Sequence, residues 1–311
     1  MSAVVPNRAQ QAAVEYRSAA LPPEPRKRAL SGRTGNPLAR WAIELLIALA
    51  ALLFVLPVVL IFLTALKPEA EIIRLDSLFP RDAAAGWRDN FGHIFGYPEE
   101  VPIFRWVVNS VFISSSVTLL VLTVDSLAAY ALSRLRPPGG RFIFAIILAT
   151  LMVPGQILLV PVYLILNRLG WLDTPAALIV PAGAGAFGVF LLSQFFKAIP
   201  KELEEAAMLD GCGPFRIYWH VMLPLSKPAL ATLAILTFIG SWNDFLGPLV
   251  FLESVERFTL PVGVALFQGS YANEYGLTLA ASVVCTTPIL VIFMIFSRQI
   301  IQGMAFAGLK E

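Results

Sequence analysis

The sequence predicts an all-α, polytopic membrane protein with six transmembrane helices, and three observations lead to this fold class. Of the 311 residues, 57% are hydrophobic and 14% are charged, and the mean hydropathy is +0.74. Soluble domains contain about 25% charged residues. The charges lie almost wholly between long apolar runs, and six of these runs reach the length of about 20 residues that a helix needs to cross the hydrocarbon core. Each run must be helical, because an open strand would leave backbone groups unpaired in lipid.

The predicted spans follow one another along residues 41–300. Their bounds are Trp41–Leu66, Trp106–Ser133, Phe142–Leu166, Pro175–Phe196, Pro228–Leu252 and Leu277–Ile300. Because proline lacks the amide hydrogen that an inner helical turn requires, kinks or helix ends are expected at Pro57, Pro154, Pro161 and Pro288. Small residues let helices in a membrane approach closely, so tight packing of the fourth span is expected at Gly183, Gly185 and Gly188.

Basic residues predict the orientation of the chain, because links rich in lysine and arginine stay in the cytoplasm. They are concentrated in residues 1–40, in the link after the second span and in the link after the fourth. Acids outnumber bases between residues 67 and 105 and in the link before the last span. Both termini are therefore predicted to be cytoplasmic, together with residues 200–224.

Residues 1–40 are polar and rich in proline, alanine and arginine, which predicts a disordered cytoplasmic tail before a membrane domain over residues 41–311. In one interpretation the arginines of the tail only fix the topology. In the other, Arg26, Lys27 and Arg28 also touch the lipid surface. The apolar run after the tail is longer than the core of a signal peptide, which indicates an anchor that is retained.

A polar segment punctuated by turn residues, residues 200–224, separates the fourth and fifth spans. Carboxylates in a first turn favour the positive end of the helix dipole, so a helix is expected to start at Glu202, Glu204 and Glu205. Gly211 stands where that helix would end in the left-handed conformation. Pro214 suits the first position of a second helix, which is expected to stop near Pro224.

The spacing of this segment resembles the EAA loop of ATP-binding cassette importer permeases. The family pattern is E-A-A, three residues, G, nine residues, an apolar residue, any residue and L-P. At these positions the chain has Glu205, Ala206, Ala207, Gly211, Val221, Leu223 and Pro224. Valine replaces the usual isoleucine at position 221, and Asp210 before the glycine agrees with the common form of the motif.

The resemblance extends over about residues 41–311. It is strongest to the carbohydrate importers related to the maltose transporter, in which this chain is similar to the smaller, six-span permease. Further motifs that carry it are Asn109-Ser110, Ala128-Ala129-Tyr130-Ala131 with Arg134, Met152-Val153-Pro154, Pro161, Leu169-Gly170, Asp173-Thr174, Pro181, Ser241-Trp242-Asn243-Asp244-Phe245 and Thr259-Leu260-Pro261-Val262-Gly263.

This resemblance implies the type I importer permease fold in a bacterial inner membrane, and uptake of a sugar or sugar-like solute. The implied partners are a second homologous permease, two nucleotide-binding ATPase subunits, an extracytoplasmic solute-binding protein and the lipid bilayer. ATP and Mg²⁺ would be bound by the ATPase subunits and no cofactor by this chain. The helix that contains Glu205–Gly211 would sit in a cleft of an ATPase subunit. Closure of the ATPase pair would then switch the spans from inward-facing to outward-facing.

The residue types suit such a coupling contact. Ala206 and Ala207 are small enough to let another surface approach closely, and Glu205 offers a carboxylate to an arginine of a partner. The rigid helix and the sharp turn at Gly211 would transmit a displacement. In the alternative interpretation these residues only cap and solvate a cytosolic loop.

Polar residues at membrane depth are costly and usually face protein or a water-filled cavity. Trp242, Asn243 and Asp244 lie in the predicted fifth span, where an aromatic face, an amide and a carboxylate would suit sugar hydroxyls along a translocation path. The alternative is a hydrogen-bonded cluster that holds the fifth span to its neighbours. Asp125, in the second span, is expected to bond a neighbouring helix rather than a substrate.

The sequence lacks the motifs that several function classes require. The sequence contains no G-x-x-x-x-G-K-[ST] phosphate loop, no G-x-S-x-G and no H-E-x-x-H, which argues against an ATPase or a membrane enzyme. Two cysteines and two histidines in unrelated positions give no metal-site spacing. A net charge of +2 is too small to indicate nucleic-acid binding.

Two other classes remain open. A secondary transporter would need inverted repeats and an ion site at the midplane, for which only Asp125 and Asp244 could serve. Uptake that requires ATP and survives a proton and sodium uncoupler would exclude it. A membrane scaffold without transport would be excluded by co-purification with an ATPase whose activity a binding protein stimulates.

Overall fold

A computed structural model describes the backbone of residues 37–308, apart from residues 75, 76, 98, 100 and 272. Within this range it describes the side chains from residue 41 to residue 294. These residues form helices joined by turns, and no strand occurs among them, as predicted. Of the predicted tail over residues 1–40, residues 1–36 lie outside the described residues. Residues 37–40 belong to the first helix, which begins at Pro37.

The helices follow one another with short connections. In chain order they are α1 Pro37–Ala65, α2 Glu69–Arg74, α3 residues 83–96, α4 Ile103–Leu135, α5 Gly140–Thr150, α6 Gly155–Leu169, α7 Ala176–Ala182, α8 Ala186–Ala198, α9 Glu202–Leu209, α10 Pro214–Leu225, α11 Lys227–Trp242, α12 Leu246–Phe251, α13 Leu260–Ser270 and α14 Tyr275–Gly308. Turns of π-helix lie within α3 at Trp87–Phe91, within α4 at Ala131–Leu135 and within α10 at Tyr218–Met222.

The chain divides into two compact units, residues 1–57 and residues 58–311. The described part of the first unit is the initial length of α1, whose backbone stays helical through Pro57. The second unit contains the rest of α1 and all the other helices. Here α4 packs against α7, α8, α11 and α13.

One face of α4 is buried with helical periodicity, which explains its central place in the second unit. Residues three or four positions apart share a face of a helix. The buried positions are Ile103, Trp106, Ser110, Ile113, Ser114, Val117, Val121, Asp125, Ser126, Ala129 and Tyr130. Polar side chains occur in both halves of this stripe, at Ser110 and Ser114 and at Asp125 and Ser126, so α4 makes specific hydrogen bonds as well as apolar contacts.

Three helices are long and apolar enough to cross a membrane alone, over Trp41–Ala65, Ile103–Leu135 and Tyr275–Met294. Three bent pairs bring the number to six if each pair is one span. The bends are 100° between α5 and α6, 42° between α7 and α8, and 78° between α10 and α11. The described part of the chain therefore accommodates up to six spans by length and composition.

The predicted third, fourth and fifth spans are not single helices. Phe142–Leu166 is broken over residues 151–154, since α5 ends at Thr150 and α6 begins directly after Pro154, whose backbone is extended. Pro175–Phe196 is broken at Gly183–Gly185, between α7 and α8. Pro57, Pro161 and Pro288, in contrast, lie inside continuous helices.

The predicted fifth span, Pro228–Leu252, ends early. Its first helix, α11, stops at Trp242, and α12 begins anew at Leu246 after a turn stabilised by Asp244. Helix α13 lies in the link that the hydropathy pattern treats as a loop. At 11 residues it is about half the length that crosses the hydrocarbon core.

Candidate functional site

The predicted E-A-A residues lie on α9, and the turn after this helix is defined by its backbone hydrogen bonds. The Cys212 amide donates to the Ala207 carbonyl at 2.9 Å, and the Gly211 amide donates to the Met208 carbonyl at 3.0 Å. This pair of bonds is the Schellman motif, which satisfies carbonyls left unpaired at a helix end. Gly211 has φ +78°, and a β-carbon there would meet no atom within 4 Å. Glycine is therefore needed for its backbone conformation and not for space.

The second helix of the segment, α10, begins with Pro214 and ends at Leu225, next to the predicted end near Pro224. Leu223 packs partly buried against the core, whereas Pro224 is exposed within the helix. The sequence therefore predicted the two short helices and the turn between them. The structure adds a π-helical turn at Tyr218–Met222.

The exposed surface of α9 is mostly apolar. Leu203, Met208 and Leu209 are exposed, and Leu209 reaches 89% of its free accessibility. Glu205 and Ala206 are exposed beside them, while Ala207 is half-buried and Asp210 is exposed at the helix end. On α10, Phe215 and Trp219 are also exposed, and their rings stack on each other with centroids 6.5 Å apart. Large apolar side chains that lie together on a surface mark a site of interaction.

The acid of this helix that the bundle buries is Glu204, not the motif residue Glu205. A carboxylate oxygen of Glu204 lies 2.9 Å from Nε of Arg134 at the end of α4, and the two side chains keep 11% and 6% of their accessibility. The Arg134 guanidinium also donates to the Ile199 carbonyl. The sequence contains three acids in this turn and gave no sign of which one is paired.

Arg134 is the last of three residues, spaced by four along α4, that hold the segment after the fourth span. The Tyr130 hydroxyl donates to the Pro214 carbonyl at 3.0 Å. The Ser126 and Tyr218 hydroxyls lie 2.7 Å apart and share a hydrogen bond. Residues at this spacing share one face of a helix, so a single face of α4 contacts the start of α9 and both the start and the middle of α10.

Asp125 bonds a neighbouring helix, as predicted. Its Oδ1 accepts a hydrogen bond from the Gly185 amide at 3.0 Å, at the start of α8. A β-carbon on Gly188 would lie 2.0 Å from Oδ2 of Asp125, and one on Gly183 would lie 2.2 Å from the Leu120 side chain. The close packing expected of these glycines is therefore present, and Gly188 leaves room for the buried carboxylate.

The three residues considered for a translocation path separate into one buried and two exposed positions. Trp242 is 1% exposed and its ring stacks on Phe238 at 6.0 Å, so it belongs to the core. Asn243 and Asp244 are exposed, in the turn between α11 and α12. The Gly247 amide donates to Oδ1 of Asp244 at 3.3 Å. This carboxylate also lines an open groove of about 410 Å³, to which Gln156 contributes.

At the other end of α4, side chains hold the link before α13. The Asn109 amide group donates to the carbonyls of Glu256 and Phe258 at 2.9 and 3.0 Å. The Leu260 amide donates to Ser110 Oγ at 2.7 Å. The Asn109-Ser110 and Thr259–Gly263 motifs are thus two sides of one contact, which the sequence showed only as separate motifs.

Asp173 forms a second contact with this link. It has a left-handed backbone, with φ +57°, and its Oδ1 accepts the amides of Glu253 and Ser254 at 3.0 Å each. Burial opposes its ionisation, but the Ser254 hydroxyl, these amides and Arg257, whose guanidinium is 3.3 Å away, outweigh burial and hold the pKa of Asp173 below its ordinary value.

No group of three or more metal-ligating side chains occurs among the residues from 37 to 308 that the structure describes. The polar groups identified above contact backbone or one another within the bundle. The arrangement provides a mechanical connection from an exposed helix pair to a central helix.

A family model described as "Binding-protein-dependent transport system inner membrane component" matches residues 126–306. The arabinooligosaccharides transport system permease protein AraQ of Halalkalibacterium halodurans is 36% identical over 278 residues, which cover 89% of this chain and 99% of that protein. The trehalose/maltose transport system permease protein MalG of Thermococcus litoralis is 36% identical over 208 residues, which cover 67% of this chain and 70% of that protein.

The fold is similar to a chain in the crystal structure of a bacterial ABC transporter involved in the import of the acidic polysaccharide alginate. The TM-score is 0.72, the identity is 24%, and the match covers 85% of this chain and 97% of the other. The matched residues 126–306 include the α4 face, the α9–α10 segment and the turn after α11 described above. This chain belongs to the family of binding-protein-dependent transport system inner membrane components.

Proposed function

We propose that this permease forms half of the path by which a sugar or sugar-like solute enters the cell, and that α9 is its coupling helix. The relatives named for arabinooligosaccharides and for trehalose and maltose support the class of cargo. A second homologous permease would complete the path. A solute-binding protein outside the membrane would deliver the cargo.

The observation that carries the proposal is the two-sided character of α9. One side carries the exposed residues Leu203, Glu205, Ala206 and Leu209. The other side is fixed to α4 through Glu204 and Arg134. A helix that is rigidly tied to the bundle and presents an apolar surface with a carboxylate suits a partner that must exert force on it.

The partner on this surface would be one of two ATPase subunits, which bind ATP and Mg²⁺. Movement of α9 and α10 would pass to the polar face of α4 at Ser126, Tyr130 and Arg134. Because α4 packs against α7, α8, α11 and α13, its displacement would reach most of the second unit. ATP hydrolysis would thus occur on other chains, and this chain would supply no catalytic residue.

The same proposal assigns an orientation. Arginine and lysine are concentrated around the α4–α5 and α8–α9 links, which supports a cytoplasmic position for these links and for both termini. The links held by Asn109 and Asp173 would then face the outside, where the solute-binding protein docks.

Photo-crosslinking of the assembled transporter tests the coupling role of α9. Benzoylphenylalanine in place of Leu209 should crosslink to the ATPase subunit in membranes. The same group in place of Leu78, which is also exposed but belongs to the predicted external link, should not. Absence of an ATPase adduct from Leu209 in the nucleotide-free and in the ATP-bound transporter would refute the assignment.

Transport in proteoliposomes tests the class of function. Uptake should require the ATPase subunits, ATP on their side and the solute-binding protein, and it should persist when proton and sodium gradients are collapsed. Uptake driven by an ion gradient without ATP would identify a secondary transporter instead. Radiolabelled arabinooligosaccharide, maltose and trehalose are the first substrates to compare, since relatives carry these names.

A further inference from the structure

A basic cavity of about 510 Å³ lies where the end of α4, the start of α5 and the end of α8 meet. Its polar lining is formed by Ser133, Arg136, Arg141, Ser193 and Lys197. Phe144 supplies an aromatic wall, and the Lys197 ammonium lies 5.1 Å from the centre of its ring. None of these residues belongs to the predicted coupling or translocation residues.

The cavity concentrates positive charge, and the described residues supply no counter-charge. None of the described residues that line it is acidic, and among the described residues Arg136, Arg141 and Lys197 form no ion pair with a carboxylate. Arg136 is positioned by a hydrogen bond from its Nε to the Ser133 carbonyl at 3.4 Å, which leaves the terminal nitrogens of the guanidinium for a ligand. An arginine fork of this kind suits the oxygens of a phosphate.

Two buried hydroxyls point to a bound ligand independently of the charges. Ser133 and Ser193 line the cavity with 3% and 1% of their surface exposed. Among the described residues neither Oγ has a hydrogen-bond partner. A buried polar group without a partner costs about 1–3 kcal/mol, so such groups in a native site are normally satisfied by a ligand or by water.

The start of α5 adds a third feature. Gly139, with φ +77°, and Gly140 line the cavity at the amino end of an 11-residue helix. The amino end of a helix carries partial positive charge and favours a bound anion. Backbone dipole, cations and hydroxyl donors are therefore directed at one volume, and the arrangement fits an oxyanion with several acceptor oxygens.

We propose that this cavity binds the phosphate of an anionic phospholipid headgroup, for which phosphatidylglycerol is the probe. The proposal also rests on the assignment of this end of the bundle to the cytoplasmic membrane surface. Helix α5 leads away from the cavity with exposed Phe142, Ile143 and Ile146, an apolar surface along which acyl chains can lie. Basic pockets between transmembrane helices at the cytoplasmic surface are suited to such headgroups.

The site would act on the same junction as the coupling segment. Ser133 precedes Arg134, whose side chain pairs with Glu204, and Lys197 lies near the end of the helix that leads to α9. A headgroup held between them ties α4 to α8 at the base of the coupling helix. Anionic lipid is thereby expected to stabilise the assembled transporter.

The test uses the purified, delipidated full transporter, whose thermal unfolding is followed while lipid is added. Phosphatidylglycerol should raise the melting temperature, and phosphatidylcholine, which has no net charge, should not. Loss of one charged hydrogen bond should raise the half-saturating phosphatidylglycerol concentration about tenfold in Arg141→Gln and Lys197→Gln. The control variant is Lys227→Gln, which removes an exposed cation on the same predicted side but outside the cavity.

Ser193→Ala keeps every charge and removes one buried hydroxyl, so a rise in the half-saturating concentration in this variant reports contact inside the cavity. Equal stabilisation by inorganic phosphate would overturn the lipid assignment in favour of a soluble phosphate.

Equal half-saturating phosphatidylglycerol concentrations in Lys197→Gln and Lys227→Gln would overturn the site. If the cavity variants lose the ATPase subunit while their lipid response stays intact, the occupant is the ATPase and the proposal fails. All of these outcomes are measurable whether or not α9 proves to be the coupling helix.

Discussion

Arg134 and Glu204 form an ion pair at 2.9 Å that fastens the α9 helix to the end of α4. Both side chains are nearly buried, so neither charge has water to compensate for loss of the other. The adjacent motif residue, Glu205, is exposed. Two neighbouring glutamates on one helical turn thus have different physical tasks, one in holding the helix and one in facing outward.

Removal of one partner of the ion pair should destabilise this junction. Glu204→Ala leaves the Arg134 guanidinium buried without its carboxylate, for which the expected cost is about 3–5 kcal/mol. We expect a lowered melting temperature of the purified transporter and a loss of uptake. Arg134→Ala in the Glu204→Ala background should add little, because the pair is already broken. Additive losses in this cycle would show that the two side chains do not interact.

Glu205→Ala is the matched control for that change and a prediction of its own. It removes the same charge from the same turn, but at an exposed position, so the melting temperature of the isolated permease should change little. Assembly with the ATPase subunit should weaken, which co-purification at increasing salt measures. If Glu205→Ala lowers stability as much as Glu204→Ala, the division of tasks between the two residues is wrong.

The turn at Gly211 should not accommodate a residue that is strained in the left-handed backbone conformation. Gly211→Ala should cost about 1–2 kcal/mol, because L-residues are strained at φ +78°. Gly211→Pro additionally removes the amide that donates to the Met208 carbonyl, and it should abolish uptake while the protein stays in the membrane. Gly213→Ala is the control: φ is −75° and the space around it is open. Normal uptake by Gly211→Pro would contradict a coupling role for this turn.

Local signals in the sequence were sufficient to predict α9, the turn after it and the start of α10. Acids in a first turn, a glycine at a helix end and a proline at a helix start each act over a few residues. The partner of Glu204 could not be foreseen in this way, because Arg134 lies in α4, five helices earlier in the chain. Spatial proximity of that kind depends on how the bundle packs.

Hydropathy predicted where the apolar runs lie but not how they bend. The average hydropathy of Phe142–Leu166 is the same whether this run forms one straight helix or two helices bent by 100°. The proline at position 154 indicated a break without giving its angle. Trp242, Asn243 and Asp244 read as one polar cluster in the sequence, yet the end of α11 separates a core residue from two exposed ones.

Gly188 should be intolerant of a side chain, because a β-carbon would lie 2.0 Å from the Asp125 carboxylate. Overpacking of this kind costs about 1–3 kcal/mol, so Gly188→Ala should lower the melting temperature. Gly240→Ala, in a helix with open space around the glycine, should be neutral or stabilising. Asp125→Ala should recover part of the loss in Gly188→Ala, and no recovery would mean that the contact is not the cause.

The contact at Asp173 should weaken in acid. Because the pKa of Asp173 is lowered on folding, its contribution to stability is complete above the ordinary aspartate pKa of about 3.9 and is lost as pH falls through the lower folded-state pKa. The melting temperature of Asp173→Asn should therefore lie below that of the wild type at neutral pH, and the two should converge in acid. A difference that is independent of pH would assign the effect to packing.

Asp244 can be assigned to the translocation path or to the α11–α12 turn by two substitutions. Asp244→Asn keeps an oxygen that accepts the Gly247 amide but removes the charge from the groove, whereas Asp244→Ala removes both. If the carboxylate meets the cargo, both variants should reduce uptake more than they reduce the amount of protein in the membrane. If it only stabilises the turn, Asp244→Asn should behave as the wild type, and Asp244→Ala should lose protein and uptake in proportion. Uptake per molecule in proteoliposomes, with Asp244→Asn as the deciding variant, separates the two, because only a role on the path makes the charge itself necessary.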